Sequence, residues 1–247
     1  MLRKQLLHLI APNRCPGCGC ALTAFELLCE SCAEHIVLPD DFYCHGCGKV
    51  GCMCFQKPLS YDRAVICGMY AAEGRRAILK LKSASNTNYA TFAAQILASR
   101  IRKLPAQGLP DCVIPIPMHP TRQRRRGYNQ AALIARGIAK ELAIPCREDV
   151  LFRRQKGRIQ HTLNARERAF NADSFGIHDI PLDGMRIILA DDVITTGSTM
   201  DHCAALLRQN GASVVIAAAA ATAVYSKMLR EIEFARKLTQ TNQGGLS

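Results

Sequence analysis

The sequence predicts an α/β protein built on a parallel sheet and preceded by a small cysteine-rich domain. Three observations carry that expectation. From Tyr61 onward, short apolar runs alternate with amphipathic stretches of helical period, the pattern of strands joined by covering helices. Nine of the 13 cysteines fall between Cys15 and Cys54. The segment Ile187-Ile-Leu-Ala-Asp-Asp-Val-Ile-Thr-Thr-Gly-Ser-Thr199 reads as a buried strand running into two acids, a hydroxyl-rich loop and a helix.

The elements follow in order. Met1 to Ala11 reads as a short amphipathic helix; His8 interrupts its apolar stretch, Pro12 follows, and no small-residue cleavage site is present, so a cytoplasmic protein is expected. Residues 12–57 form the cysteine-rich domain, too poor in apolar periodicity to bury much core without metal. The second domain spans 61–223, with strands at Ala64 to Tyr70, Cys112 to Ile116, Ile187 to Ala190 and Val214 to Ala221. Helices are expected at Glu73 to Lys82, Tyr89 to Leu104, Asn129 to Leu142 and Ser198 to Asn210, with a C-terminal helix and tail over 224–247. A length of 247 residues accommodates one such core and a satellite. Hydrophobic residues make up 49% and charged residues 21%, which is globular composition. The apolar run Val214 to Val224 is mostly alanine and shorter than the roughly 18 residues of a membrane span. Net charge is +12, and residues 121–170 alone carry +9, which calls for a local anionic partner.

The cysteines fall into two sets. Cys15-x2-Cys18 is followed by Cys29-x2-Cys32, and Cys44-x2-Cys47 by Cys52-x-Cys54. A Cys-x2-Cys turn offers two thiolates from one backbone knuckle, and two such turns close a tetrahedral Zn2+ shell. The first set predicts structural zinc. The second, with its shorter loop and one-residue final spacing, is the less regular site. Cys20 is a spare ligand or a bystander. Cys67, Cys112, Cys146 and Cys203 sit in apolar segments and read as small hydrophobes.

A strand, a loop of small residues and a helix N-terminus together make an anion site. Glycine at 197 lets the backbone approach a phosphate, and hydroxyls on Thr195, Thr196, Ser198 and Thr199 add donors. The plainer reading is an ordinary helix cap, which needs one such residue, not two acids and four hydroxyls. The segment closely resembles the phosphoribosyl-pyrophosphate (PRPP) motif of type I phosphoribosyltransferases. That resemblance implies a type I phosphoribosyltransferase-like parallel sheet, with Asp191 and Asp192 on the ribose hydroxyls and Thr195, Thr196, Gly197, Ser198 and Thr199 on the 5′-phosphate. It also implies Mg2+ with the PRPP.

Two further segments join it. Pro115-Ile116-Pro117-Met118 leaves a strand, and in type I phosphoribosyltransferases the corresponding loop receives pyrophosphate. The run Arg122-Gln-Arg-Arg-Arg126-Gly-Tyr-Asn-Gln130 follows at once. It reads as a basic loop that Gly127 lets fold over a ligand, since arginine forks pair with phosphate oxygens. Arg153, Gln160, His161 and Arg166 continue the basic and amide character. Lys82 and Arg126 are the expected leaving-group cations.

Taken in order, the cysteine knuckles, Gln56-Lys57-Pro58, Leu81-Lys82, Pro115-Ile116-Pro117, Arg125-Arg126-Gly127-Tyr128-Asn129-Gln130, Gln160-His161-x-Leu163 and the acid-hydroxyl segment resemble the ComF/GntX family over roughly residues 12–222. The resemblance implies an N-terminal zinc ribbon on a phosphoribosyltransferase-like domain, with a link to natural competence, DNA uptake or DNA utilisation. Three functions follow from it: a PRPP-dependent transferase, a non-catalytic accessory that contacts single-stranded DNA within the uptake machinery, and a PRPP-sensing regulator. No residue declares itself as a catalytic base. The absence of tryptophan and 6% aromatic content weaken a base-stacking platform.

Overall fold

The computed structural model describes residues 12–52, 58–83, 85–104, 108–154 and 174–224. The helix expected over 1–11 and all but the first residue of the one expected over 224–239, together with Cys54, Gln56, Lys57, Gln160, His161 and Arg166, lie outside the described residues. The described chain runs α1 (Glu30–Ile36), β1 (Arg63–Met69), α2 (Ala72–Lys82), α3 (Asn88–Arg102), β2 (Cys112–Pro115), α4 (Pro120–Arg126), α5 (Gln130–Leu142), β3 (Leu151–Arg153), β4 (Phe175–Ile177), β5 (Arg186–Ile194), α6 (Ser198–Gln209) and β6 (Val214–Thr222).

Four strands form a parallel sheet in the order β1-β6-β5-β2, as the alternation of strand and helix requires. The central strand β6 reads Val-Val-Ile followed by five alanines and Thr222, and it is buried along nearly its whole length. A strand covered on both faces has no polar positions to spare. Side chains alternate between two cores. Val215, Ala217, Ala219, Ile187 and Leu189 face α6 and the β3–β4 hairpin; Ile216, Ala218, Ala220, Ile188 and Ala190 face α2, α3 and α5.

The cysteine-rich region packs on the same sheet, and it straddles the edge strand β1. Cys15, Leu22, Leu28, Cys32 and Ile36 join the core on the α2–α3 face, whereas Leu38, Tyr43, Val50 and Tyr61 join the core on the α6 face. Between them the chain crosses the open side of β1. Val37 bridges Gly68 in antiparallel fashion, Leu38 N–H donates to the Cys67 carbonyl at 3.1 Å, and Ala64 N–H donates to the His45 carbonyl at 2.6 Å. Glycine is required at 68, where a Cβ would come within 2.4 Å of the Ile36 carbonyl oxygen.

Three elements differ from the sequence expectation. The arginine run is not a loop: Pro120 to Arg126 is a helix, with His119 Nδ1 accepting from Thr121 N–H and Gly127 ending it at φ +87°. Proline at the start and glycine at the stop suit helix ends. Strand β5 continues past Ala190 to Ile194 because β6 still pairs with it there. The antiparallel pair β3–β4 is three residues a side, too short to show a period of two. No helix among the described residues is long and apolar enough to cross a membrane.

Candidate functional site

The register of β2 on β5 sets the site. Pro115 lies opposite Ala190, and Ile116 N–H donates to the Ala190 carbonyl at 2.9 Å. Beyond that point β2 turns away, while β5 continues against β6 with Asp191 opposite Ala219 and Ile194 opposite Thr222. Asp191 and Asp192 sit on this overhang, at the carboxyl end of the sheet where ligands of such folds bind. Consecutive strand residues face opposite sides, and the two acids accordingly have different surroundings.

Asp191 lines an open hollow of about 250 Å³ with Val193, Ile194, Thr195, Thr196, Gly197, Ser198, Thr199 and Met200. Gly197 stands at φ +83° as the residue before α6, a conformation that non-glycine residues rarely adopt. Thr196 Oγ1 and Ser198 Oγ are 3.0 Å apart across the loop. The N-terminus of α6 opens here, so unpaired N–H groups, the positive helix end and hydroxyls converge. Burial pushes the Asp191 carboxyl up to about 8, and the neighbouring Asp192 charge adds to this against the pull of Asp192 N–H and Lys82. Asp192 N–H donates to Asp191 Oδ1 at 2.8 Å.

Asp192 turns the other way, to Lys82 at the end of α2, with Nζ 2.9 Å from Oδ2. The segment after α4 holds this side together. The Tyr128 hydroxyl donates to the Leu81 carbonyl next to Lys82. Asn129 Nδ2 donates to the Ile116 carbonyl at 2.9 Å, and Asn129 Oδ1 caps α5 at Ala131 N–H. Arg126 Nη1 donates to Gln130 Oε1 at 2.6 Å, and Gln130 itself is 1% exposed, its Nε2 finding no partner among the described residues. Pro115 and Ile116 are buried and Pro117 half-buried at the strand exit. The expected leaving-group residues are thus linked through Tyr128, Asn129 and Gln130. The sequence assigns those three residues no role of their own. The signal was present: polar residues between Gly127 and an apolar helix that end up buried, as Asn129 and Gln130 do.

In the first cysteine set, Cys15, Cys18, Cys29 and Cys32 bring their sulfurs within 4.8 Å of one another. Cys18 and Cys29 Sγ are 3.7 Å apart, close to the roughly 3.8 Å edge of a tetrahedron with zinc–sulfur bonds of about 2.3 Å. A Cβ at Gly17 would stand 2.7 Å from Cys32 Sγ, so the knuckle has room only for glycine. Burial pushes the Cys15 thiol up, but N–H groups of Cys29, Cys18 and Gly17 outweigh it and bring it to about 6. Donor type, number and spacing all fit zinc. Cys44, Cys47 and Cys52 form a second group within the same 4.8 Å. Cys67, Cys112 and Cys203 are buried as small hydrophobes, with Cys146 at the margin.

Both knuckles reach the site. Arg76 Nε and Lys80 Nζ of α2 donate to the Gly17 and Cys15 carbonyls at 2.7 and 3.3 Å, upstream of Lys82 on the same helix. On the other face, Tyr61 Oη donates to the Cys47 carbonyl and Lys49 Nζ to the Thr196 carbonyl, each at 3.2 Å.

A Phosphoribosyl transferase domain family model matches residues 128–240. The chain is 31% identical over 207 residues to DNA utilization protein YhgH of Escherichia coli O157:H7, covering 81% of this chain and 86% of that protein. It is 30% identical over 211 residues to Competence protein F of Haemophilus influenzae, covering 83% and 88%. The chain belongs to the ComF family. A shorter likeness, 43% identical over 67 residues, relates this ComF-family chain to adenine phosphoribosyltransferase of Rhodopseudomonas palustris, covering 26% of this chain and 37% of that enzyme. The family and the parallel sheet agree with the phosphoribosyltransferase-like fold expected from residues 187–199, and the cysteine clusters with an N-terminal domain able to bind zinc.

Proposed function

We propose that this ComF-family protein binds PRPP with Mg2+ at the overhang of β5 and acts in competence or DNA utilisation in the cytoplasm. One observation carries the reading: a hollow lined by Asp191 and the hydroxyl loop, and an acid-bound cation, Lys82 on Asp192, flank the same strand end on its two faces. The 5′-phosphate would sit among Thr195 to Thr199, the ribose hydroxyls against Asp191 and Asp192, and the pyrophosphate at Pro115 to Pro117 with Lys82 and Arg126. Positive charge there stabilises the departing pyrophosphate as ribose C1 becomes oxocarbenium-like. Mg2+ bound together with PRPP would supply further neutralisation of its negative charge. Zn2+ in the Cys15, Cys18, Cys29, Cys32 set, and in a second set of Cys44, Cys47, Cys52 and Cys54, is structural, since four thiolates close the shell.

Titration calorimetry of the zinc-loaded protein with PRPP, with and without Mg2+, tests this reading. Magnesium-dependent binding that disappears in the Asp191→Ala/Asp192→Ala double variant is expected. Unchanged affinity in the double variant would overturn the site. A sensing role uses the same residues without turnover, and pyrophosphate release in an acceptor screen separates the two.

A second reading rests on α4, where Arg122, Arg124 and Arg125 are exposed beside the pyrophosphate side of the site. Contact with single-stranded DNA phosphates, in company with uptake-machinery proteins, is the function such a surface suits. Binding that weakens steeply with salt and falls in an Arg122, Arg124, Arg125 triple alanine variant is expected; salt-independent binding or none would exclude it.

A further inference from the structure

The hydroxyl loop has to present N–H groups, not carbonyls, to a phosphate. The peptide between Thr196 and Gly197 is the vulnerable one. Gly197 at φ +83° has no Cβ to oppose rotation of that peptide plane, and a flipped plane would turn the Thr196 oxygen toward the anion. A peptide unit is planar and trans, so its C=O and N–H point in opposite directions. Whatever fixes the Thr196 carbonyl therefore also aims the Gly197 N–H.

Lys49 is what fixes it. Its Nζ donates to the Thr196 carbonyl at 3.2 Å across 147 residues of sequence. The lysine rides on the second cysteine knuckle, two residues after Cys47. That knuckle is itself anchored: the Cys47 carbonyl accepts from Tyr61 Oη, and the ring of Tyr61 is buried behind the loop with its oxygen 3.7 Å from where a Gly197 Cβ would be. Gly48 is wedged against Ile66 and Ala64 of β1, where a Cβ would come within 2.8 Å and 3.1 Å. Ser60 N–H donates to Asp201 Oδ1 in the first turn of α6 at 2.7 Å, tying the following linker to the same helix end.

We propose that Lys49 is a positioning residue for the 5′-phosphate subsite: by holding the Thr196 carbonyl from behind the loop, it locks the Thr196–Gly197 peptide with its N–H toward the anion. The phosphate cradle is then completed by the cysteine-rich domain. This rests on the PRPP reading above and extends it to a residue outside the phosphoribosyltransferase-like domain. A charge-assisted hydrogen bond to the carbonyl holds the plane more firmly than a neutral one. Lys49 acts on the phosphate end of the ligand, because Lys82, the pyrophosphate-side cation, pairs with Asp192 on the opposite face of β5.

The test uses the full, zinc-loaded chain with two probes, ribose 5-phosphate and pyrophosphate, titrated by calorimetry into wild type, Lys49→Met and Lys49→Arg, with urea unfolding of each variant as a fold control. Lys49→Met is expected to bind ribose 5-phosphate about tenfold more weakly and pyrophosphate as wild type does. Lys49→Arg, which keeps charge and donors, is expected to recover most of the loss. Equal ribose 5-phosphate affinity in wild type and Lys49→Met overturns the assignment of Lys49 alone. Equal weakening toward both probes, or no recovery with arginine, overturns it as well, since that marks a general disturbance. If wild type binds neither probe, the PRPP reading fails and the subsite falls with it.

Discussion

Lys82 and Asp192 form an ion pair, Nζ to Oδ2 2.9 Å, across the mouth of the pyrophosphate side. A proposed leaving-group cation is thus already held by a proposed ribose acid. Any ligand phosphate that engages Lys82 competes with Asp192. Replacing Asp192 by asparagine removes that competitor and one negative charge. Asp192→Asn is therefore expected to bind pyrophosphate several-fold more tightly while binding ribose 5-phosphate more weakly; Lys82→Met should weaken pyrophosphate about tenfold or more. Calorimetry with the two ligands separately checks both signs, and parallel changes for the two ligands would count against this division of the site.

The Asp191 carboxyl, pushed up to about 8 by burial first and by Asp192 second, gives a pH dependence with a definite sign. An unfolded aspartate titrates near 4. Between about 4 and about 8 the folded chain holds a proton that the unfolded chain has lost, so this group's contribution makes stability fall as pH rises through that window and level off above it. Asp191→Asn removes the contribution. Urea midpoints of variant and parent should nearly coincide at about pH 4 and separate in the variant's favour toward about pH 9. A constant difference across that range would sink the assignment.

Gly197 combines a left-handed backbone with the floor of the hollow. Gly197→Ala is expected to cost about 1–2 kcal/mol of stability and to remove most PRPP affinity, because alanine resists the left-handed conformation in which the loop presents its N–H groups. Thermal melting and calorimetry on the same preparation read the two effects. Retained affinity would mean that the phosphate lies elsewhere.

Tyr128 donates its hydroxyl to the Leu81 carbonyl beside Lys82. Tyr128→Phe keeps the ring and should cost about 1 kcal/mol of stability. Pyrophosphate affinity is expected to fall several-fold, with ribose 5-phosphate untouched. The converse pattern would place Tyr128 on the wrong side of the strand.

Metal removal should act at a distance. Arg76 and Lys80 hold carbonyls of the first knuckle, and Lys82 continues that helix. Cys29→Ser is expected to lose about one zinc per chain by elemental analysis, given four ligands per structural site, and to weaken pyrophosphate binding although no cysteine touches it. Full metal content with weakened binding, or the reverse, would break the link.

Much of this was readable in the sequence, for identifiable reasons. Strands β2 and β6 and helices α3 and α5 announce themselves because burial on a sheet face imposes a period that residues must obey. The acid-hydroxyl segment was legible because its chemistry is contiguous. The arginine helix α4 was not, since its period is hidden in a run of one residue type with no buried face. The divergence of Asp191 and Asp192 was hidden for another reason: it depends on β5 continuing to Ile194, which only its pairing with β6 shows. Lys49 carried no local signal at all. Its partner lies 147 residues away, and no spacing rule connects a knuckle lysine to a distant carbonyl.

The crossing of residues 37–45 along β1 has one more consequence. An uncovered parallel edge is an invitation to intermolecular pairing, and here that edge is sealed by Val37 and Leu38, which lie between the two thiol clusters, and by His45, which lies within the second. Loosening either cluster uncovers a row of unpaired backbone groups beside the alanine-rich strand. Zinc starvation should therefore show first as aggregation of an otherwise intact sheet, and the solubility of the protein becomes a gauge of the metal supply around it.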